Sequence, residues 1–406
     1  MTYIQKNTRE FRNSSTALFL GAFNTFAILY STQPIFTNLA EEFNLSPASA
    51  SLSLSAASMT LAISLLIVGS ISEVYGRKII MSASITLSSV LAIITAFVPN
   101  YTSLLAIRVL QGFASAGLPA IAMAYISEEF EPKNVGAAMG LYISGNTVGG
   151  MAGRLIIGTL TNMFNWRFAL GCIGIVGLTN SILFLKLLPS SKNFVPRKLE
   201  INNLMKTLIN HVKNTRLLCL YGMGFLLMGS FVSLYNYIGF ELIAPPYNVN
   251  PTLVSFIFVL YLVGTFSSTF LSRMSDTYGR FNIIRISMVL MLIGASTTLM
   301  NSLAMKILGI GILTFGYFGC HSIISAWVGR IASHDKAQAS SLYLFFYYAG
   351  SSVGGTTSGL FLESKLKKKK LAEFSKLYLY TTSNFSHTTS IFSSACFPIA
   401  FDSLEK

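Results

Sequence analysis

"GSISEVYGRK" (Gly69–Lys78) lies between two long apolar runs, and "SRMSDTYGRF" (Ser272–Phe281) answers it in the second half of the 406-residue chain. Gly69, Glu73, Tyr75, Gly76 and Arg77 have Ser272, Asp276, Tyr278, Gly279 and Arg280 as counterparts 203 positions further on, half the length of the chain. A short charged loop written twice at that interval indicates a duplicated unit of about 200 residues. A tight turn between two helices needs a residue that tolerates positive φ, which Gly76 and Gly279 supply. Glu73 with Arg77, and Asp276 with Arg280, are then placed to pair or to cap a neighbouring helix end.

The runs on either side of these loops set the class. Only 11% of residues are charged and 52% are hydrophobic, with a mean hydropathy of +0.59; an ordinary soluble domain carries roughly 25% charged residues. Charge-free runs cover 13–40, 43–72, 79–107, 109–127, 134–153, 168–185, 217–240, 242–272, 286–305, 307–329 and 337–362. Each offers about the 17–25 residues that a helix needs to cross a hydrocarbon core of ~30 Å. The run 242–272 contains the turn "PPYNVNP", so its spanning part begins near Pro251. A further run, 377–401, carries Asn384, His387 and many Ser and Thr. The expectation is an all-α membrane protein with eleven spans and a doubtful twelfth. The first run has 28 uncharged residues, more than the roughly 7–15 of a cleavable leader, and reads as span 1.

Net charge is +14, and its distribution excludes nucleic-acid binding as the explanation. Lys6, Arg9 and Arg12 precede span 1, Arg77 and Lys78 follow span 2, and Arg273, Arg280 and Arg285 follow span 8. Residues 189–216 hold six basic residues against Glu200 alone. The acidic "NLAEEFNLSP" after span 1 and the uncharged "APPYNVNP" after span 7 fall on the other side. The positive-inside rule therefore places the N-terminus and central linker in the cytoplasm, in an inner (plasma) membrane. The acidic "SEEFEPKN" after span 4 is the one contrary loop. No HExxH, CxxC or GxxxxGK[ST] pattern and no Ser/His/Asp cluster is present, so the sequence suggests neither an enzyme nor a cofactor or metal site. Cys172, Cys219, Cys320 and Cys396 lack ligand spacing and read as packing residues without a disulfide framework.

The chain divides into a six-helix bundle at 1–188, a linker at 189–215, a second bundle at 216–362 and a tail at 363–406. In the linker, Ile201, Leu204, Met205, Leu208, Ile209 and Val212 recur at helical spacing, with Asn203, Lys206, Asn210 and Lys213 elsewhere on the wheel. Either this is an amphipathic helix on the inner leaflet or it is a solvated tether. The tail carries Lys365, Lys367, Lys368, Lys369, Lys370 and Lys376 on a connection that twelve spans would place outside, against the charge rule. Two readings stand: a shift of reading frame near Lys367–Lys370, or a divergent span 12. An apolar run of about 20 residues in another frame downstream of Lys370 would decide for the first.

Gly69-x-x-x-Glu73-x-x-Gly76-Arg77-Lys78, its echo, Arg108-x-x-Gln111-Gly112 in span 4 and "SGNTVGGMAGR" (Ser144–Arg154) in span 5 together resemble motifs of the major facilitator superfamily. With "YNYIGFELIAPPYNV" and "YLVGTFSS", the likeness is to its drug and metabolite efflux branches and covers roughly residues 15–362. It implies the major facilitator fold, two six-helix bundles, working as a monomer in the bilayer on a small-molecule solute. The main function implied is secondary transport by alternating access, as proton-coupled efflux. An uncoupled or import-direction carrier and a carrier-derived sensor are the alternatives. Gly69, Glu73, Gly76, Arg77, Lys78, Asp276, Gly279 and Arg280 would form a cytoplasmic latch, although charge that merely sets topology would explain the basic residues. Gly145, Gly149, Gly150, Gly153 and Arg154 would form the helix-5 motif at the interface between halves, with plain tight packing as the alternative. The sequence departs from the family pattern at Glu73 (usually Asp), Ser272 (usually Gly), Gly150 (usually Pro) and Arg154 (commonly Gly).

Helix rise puts Asn24 about 14 Å into span 1, Arg108 about 9 Å and Gln111 about 14 Å into span 4. Asn146, Tyr261, Tyr347 and Tyr348 fall near the midplane as well, and these seven are the candidates for a solute cavity. An arginine within the apolar core implies a cavity or a protein partner; for the aromatics, packing is the alternative. Arg154, about 30 Å along its helix, is in reach of the outer interface by snorkelling. All fifteen Asp and Glu fall in loops, tails or helix ends. Glu241, at the outer end of span 7, and His321, in span 10, remain as candidates for coupling transport to protons. A cavity with arginine and no acid fits an anionic or polar neutral solute.

Overall fold

The computed structural model describes residues 3–194, 201–332 and 334–366. The tail readings, and with them any span 12, lie outside the described residues. Among the described residues the chain is helical, and one isolated bridge between Ile4 and Phe130 is the only β pairing. Eleven long helices coincide with the eleven charge-free runs. In the first half they are α1 (Arg9–Leu29), α2 (Pro47–Tyr75), α3 (Arg77–Thr95), α4 (Tyr101–Glu129), α5 (Val135–Met163) and α6 (Trp166–Leu187). In the second half they are α7 (Thr215–Ile243), α8 (Pro251–Tyr278), α9 (Arg280–Thr297), α10 (Leu303–Ile331) and α11 (Lys336–Leu366). A linker helix, Ile201–Lys213, stands between them.

Polar side chains set where the helices start. Asn100, Asn165, Asn214 and Asn250 each accept from a backbone N–H of the first turn that follows, and Thr8 does the same for α1. Pro251 at the first position of α8 removes a donor that would have had no partner. The α2–α3 and α8–α9 turns hinge on Gly76 (φ 97°, ψ 146°) and Gly279 (φ 83°, ψ 136°). That region is open to glycine essentially alone, which explains why the charged loop repeats its glycine.

Among the described residues, eight of the helices are long and apolar enough to cross a membrane, and α1, α5 and α11 are not among them. Counting charge-free residues gave eleven. The difference is composition: α1, α5 and α11 are long, but they carry Asn, Gly, Ser and Thr in place of aliphatic residues, and Ser14, Ser15, Asn24 and Thr25 of α1 are buried in the protein. A helix that turns polar atoms toward neighbouring helices need not be apolar all round.

Two compact units emerge, one of Met1–Phe43 with Ala56–Glu200 and one of Asn44–Ser55 with Ile201–Lys406. In the first, Leu18, Ile85, Tyr125 and Phe184 belong to one apolar cluster, and Ile35, Leu104, Trp166 and Ile173 to another. Here α5 lies against α1: a Cβ added at Gly145 would come within 2.6 Å of the Phe19 carbonyl oxygen, one at Gly153 within 2.6 Å of Ala27 Cα, and one at Gly149 would strike the backbone of Phe23. The second unit repeats the device, with Gly350 of α11 against the backbone of Phe225 and a Cβ at Gly354 falling 2.6 Å from Gly229 Cα on α7. The duplication announced by the loop thus extends to how the helices pack.

Candidate functional site

Arg108 is wholly buried in α4. Its guanidinium donates to the carbonyls of Ile28 (3.1 Å) and Leu29 and to Gln111 Oε1 (2.8 Å). These carbonyls end α1, where helix geometry leaves acceptors without an intrahelical donor. Of the two roles that a buried arginine could have, cavity or partner, the structure presents a partner. Gln111, one turn along, accepts from Arg108 and is itself buried. Asn24 donates to Ser89 Oγ on α3 at 2.9 Å and is buried. Asn146 is half-buried on α5.

Arg154 does not snorkel. It is 1% exposed, its Nε donates to Gln33 Oε1 and its Nη1 to the Gly150 carbonyl, both at 2.6 Å, and its guanidinium lies 4.0 Å from the centre of the Tyr30 ring. Depth along the helix pointed to the interface, but the chain leaving α1 supplies acceptors and an aromatic face before the side chain would reach water. Gly145, Gly149 and Gly153 of α5 are turned to α1 of the same unit.

At the α2–α3 loop Arg77 is buried and makes a forked ion pair with Glu128, Nε to Oε2 at 3.1 Å and Nη2 to Oε1 at 2.7 Å, while Nη1 donates to Ser72 Oγ at 2.6 Å. Neither Glu73 nor Asp276 forms an ion pair among the described residues. The expected partner of Arg77 was Glu73; the observed one is contributed by the acidic loop that ran against the charge rule. Glu129, beside it, accepts from the backbone N–H groups of Lys192 and Asn193, each at 2.9 Å. Those two acids hold the loop arginine and the chain leaving α6 around the end of α4. A side chain at Gly69 would meet open space, whereas Ser272 Oγ is 2.9 Å from Ser322 Oγ on α10.

The second unit gathers aromatic residues from four helices. Phe231 (α7) is in ring contact with Tyr235 (α7), Tyr261 (α8) and Tyr317 (α10), stacked on the last at 3.8 Å, and Tyr235 meets Tyr261 edge to face. Tyr235 and Thr314 share a hydrogen bond of 2.8 Å. Tyr317 donates to Met228 Sδ at 3.0 Å, which leaves it to accept from the Tyr347 hydroxyl at 2.5 Å. His321, one turn from Tyr317, has its Nδ1 2.8 Å from the Tyr343 hydroxyl and its ring 4.5 Å from that of Tyr347. Tyr347 in turn meets Tyr348 edge to face at 5.2 Å. Three predicted residues, Tyr261, Tyr347 and Tyr348, therefore share this cluster with His321. Phe231, Tyr235, Tyr317 and Tyr343 were not anticipated. The spacing Tyr317/His321 and Tyr343/Tyr347, four residues in each case, was the available signal for two facing helix stripes.

Glu241 is held by Lys306. The Lys306 ammonium, 1% exposed, lies 2.7 Å from Glu241 Oε1 and 2.8 Å from the Thr298 carbonyl, 5.3 Å from the centre of the Tyr247 ring. In the sequence Lys306 stands between the charge-free runs 286–305 and 307–329, with no local signal of a partner. Cys172 and Cys320 are free thiols, and Cys320 is buried.

A model described as Major Facilitator Superfamily matches residues 18–355. Over 361 residues the chain is 52% identical to an uncharacterized MFS-type transporter, YybF, of Bacillus subtilis (strain 168), covering 89% of each protein. Over 359 residues it is 42% identical to the inner membrane transport protein YnfM of Escherichia coli (strain K12), covering 88% of this chain and 86% of that one. Among solved structures it is similar to a mutant of the nucleoside transporter NupG, with a TM-score of 0.75 at 14% identity over 94% of this chain and 99% of that one. A bacterial homolog of the human lysosomal transporter Spinster gives a TM-score of 0.71 at 14% identity, covering 96% of each.

Proposed function

The chain belongs to the major facilitator superfamily, a multi-pass membrane transporter by kinship, and from that premise we propose that it exports a small organic solute by alternating access in exchange for protons. In this reading the N-terminus is cytoplasmic, Arg77 and Arg280 belong to latches on that side, and the solute is met by Tyr261, Tyr347 and Tyr348. Arg108, with Gln111, acts as a positioning residue that fixes the end of α1, and Asn24 and Asn146 complete the polar lining of the first bundle.

The observation that carries the proton is the placement of His321. Imidazole changes charge near physiological pH, and here it sits 2.8 Å from the Tyr343 hydroxyl and against the Tyr347 ring. When neutral, with its proton on Nε2, His321 accepts from Tyr343 at Nδ1; when protonated it becomes a donor at both nitrogens. Tyr343 must then turn its own proton elsewhere. The same cation lies against the face of Tyr347, whose hydroxyl is tied to Tyr317. Protonation thereby alters the rings that we assign to solute contact, which couples the two ligands. Glu241, the other candidate, is engaged by Lys306 and is assigned a structural role.

His321→Gln is the test. Solute counterflow without a pH gradient should persist, whereas uphill movement driven by an imposed gradient should disappear; gradient-driven transport that survives in His321→Gln would remove the histidine from the mechanism.

A further inference from the structure

We propose that the linker helix Ile201–Lys213 is a docking surface for an anionic bilayer leaflet, with Met205, Ile209 and Val212 inserted among the acyl chains. This short helix presents three faces. At about 100° per residue, Leu208 and His211 point to one side, Met205, Ile209 and Val212 to a second, and Lys206 and Lys213 to a third. The first face is taken. Leu208 is 7% and His211 3% exposed, the His211 ring stacks on that of His334 at 5.1 Å, and Thr207 donates to Asp335 at 3.4 Å. Protein contact is thus already provided for, in the turn between α10 and α11.

The second face is apolar and uncovered, with Met205 51%, Ile209 48% and Val212 36% exposed. Its surroundings identify what covers it. One residue, Asn214, separates the linker helix from α7, and its side chain accepts from the N–H groups of Arg216 (3.1 Å) and Leu217 (3.3 Å), so the membrane-spanning helix begins directly at the linker's end. Leu218, in the first turn of α7, is exposed and extends the uncovered apolar surface toward the span. A helix tethered so closely to a span has its C-terminal end, with Ile209 and Val212, held near the plane where headgroups meet acyl chains. Lys206 and Lys213, exposed on the flank of the stripe, have stems long enough to lie along it and carry their ammonium groups to lipid phosphates. Basic residues bordering an apolar stripe favour leaflets rich in anionic lipid. A second copy of the chain or an unrelated protein would not account for the lysines at the border or for the span one residue away.

The test uses the full-length protein in nanodiscs of phosphatidylcholine, with and without phosphatidylglycerol, and a fluorescent non-natural amino acid in place of Ile209 or, separately, Asn210. We expect lipid brominated near the headgroup to quench the probe at 209 severalfold more than at 210, with iodide in the buffer showing the opposite order. Phosphatidylglycerol should widen the difference, and Lys206→Gln with Lys213→Gln should cancel that widening without abolishing lipid contact at 209. Equal access of iodide to both positions would mean a solvated tether, and protection of 209 from both quenchers would mean a protein partner; either overturns the proposal. Indifference to phosphatidylglycerol would overturn its anionic part. None of these readouts depends on transport.

Discussion

An arginine with no access to water must give its N–H groups to acceptors inside the protein, and Arg108 gives them to the last carbonyls of α1. Arg108→Ala strands the Leu29 carbonyl, while the Ile28 carbonyl keeps the Ser31 N–H at 3.2 Å, and should cost roughly 1–3 kcal/mol, the penalty of a buried acceptor left unsatisfied. Arg108→Lys should recover only part of this, because a point ammonium cannot serve two carbonyls and Gln111 as a planar fork does. Thermal unfolding of the detergent-solubilised variants measures both; an Ala variant as stable as wild type would show that the carbonyls find other donors. At the Lys306–Glu241 pair, where the lysine is buried and the glutamate partly so, Lys306→Met alone should destabilise by up to about 3 kcal/mol, whereas Lys306→Met with Glu241→Leu should regain most of the loss, as an apolar pair avoids desolvating two charges. A double variant no better than the single would indicate that Lys306 matters mainly through the Thr298 carbonyl.

Among the elements, the turn between α2 and α3 is where sequence and structure agree most and then part. Gly76 was legible because a positive φ is a local demand, met within one residue. The partner of Arg77 was not, because Glu128 lies 51 residues away and no local spacing reports it; Glu73, four residues off, was the nearer acid. A double-mutant cycle on unfolding should give a coupling of about 1–2 kcal/mol for Arg77 with Glu128 and additivity for Arg77 with Glu73. The reverse result would restore the sequence reading. The linker helix adds a pH dependence. Burial holds the His211 imidazole below its ordinary value of 6.5, with His334 adding to the shift and Asp335 opposing it. A lowered value in the folded state means that the docked form prefers the neutral ring, so docking is fully stable above the unfolded value and weakens as pH falls below about 6.5. The protection factors of the amides across 205–213, which remove the intrinsic pH dependence of exchange, should therefore fall on acidification, and His211→Phe should flatten the response. Protection factors that are indifferent to pH in the native protein would show that the ring is not buried in solution.

For the whole molecule, the legible part was the architecture: two copies of one loop, eleven charge-free runs and a basic linker indicate two membrane-spanning halves, and the resemblance of the motifs to the superfamily supplies the major facilitator fold. The candidate site was legible only in fragments. Tyr261, Tyr347 and Tyr348 could be placed by depth, but depth along a helix says nothing about the direction in which a side chain points, and so Arg108 and Arg154 looked available to solute and to water respectively. Both prove to be committed to the chain around the end of α1. The central claim is that the protein moves a solute against protons. Proteoliposomes loaded with a pH-sensitive dye and holding an imposed proton gradient test it directly, when challenged with a panel of neutral aromatic solutes, sugars and organic anions. At least one solute should discharge the gradient with the wild-type protein, at a rate that falls to the protein-free baseline in His321→Gln. A solute that binds, by shifting the unfolding temperature, yet crosses the membrane no faster than in protein-free liposomes would contradict the account and identify a sensor.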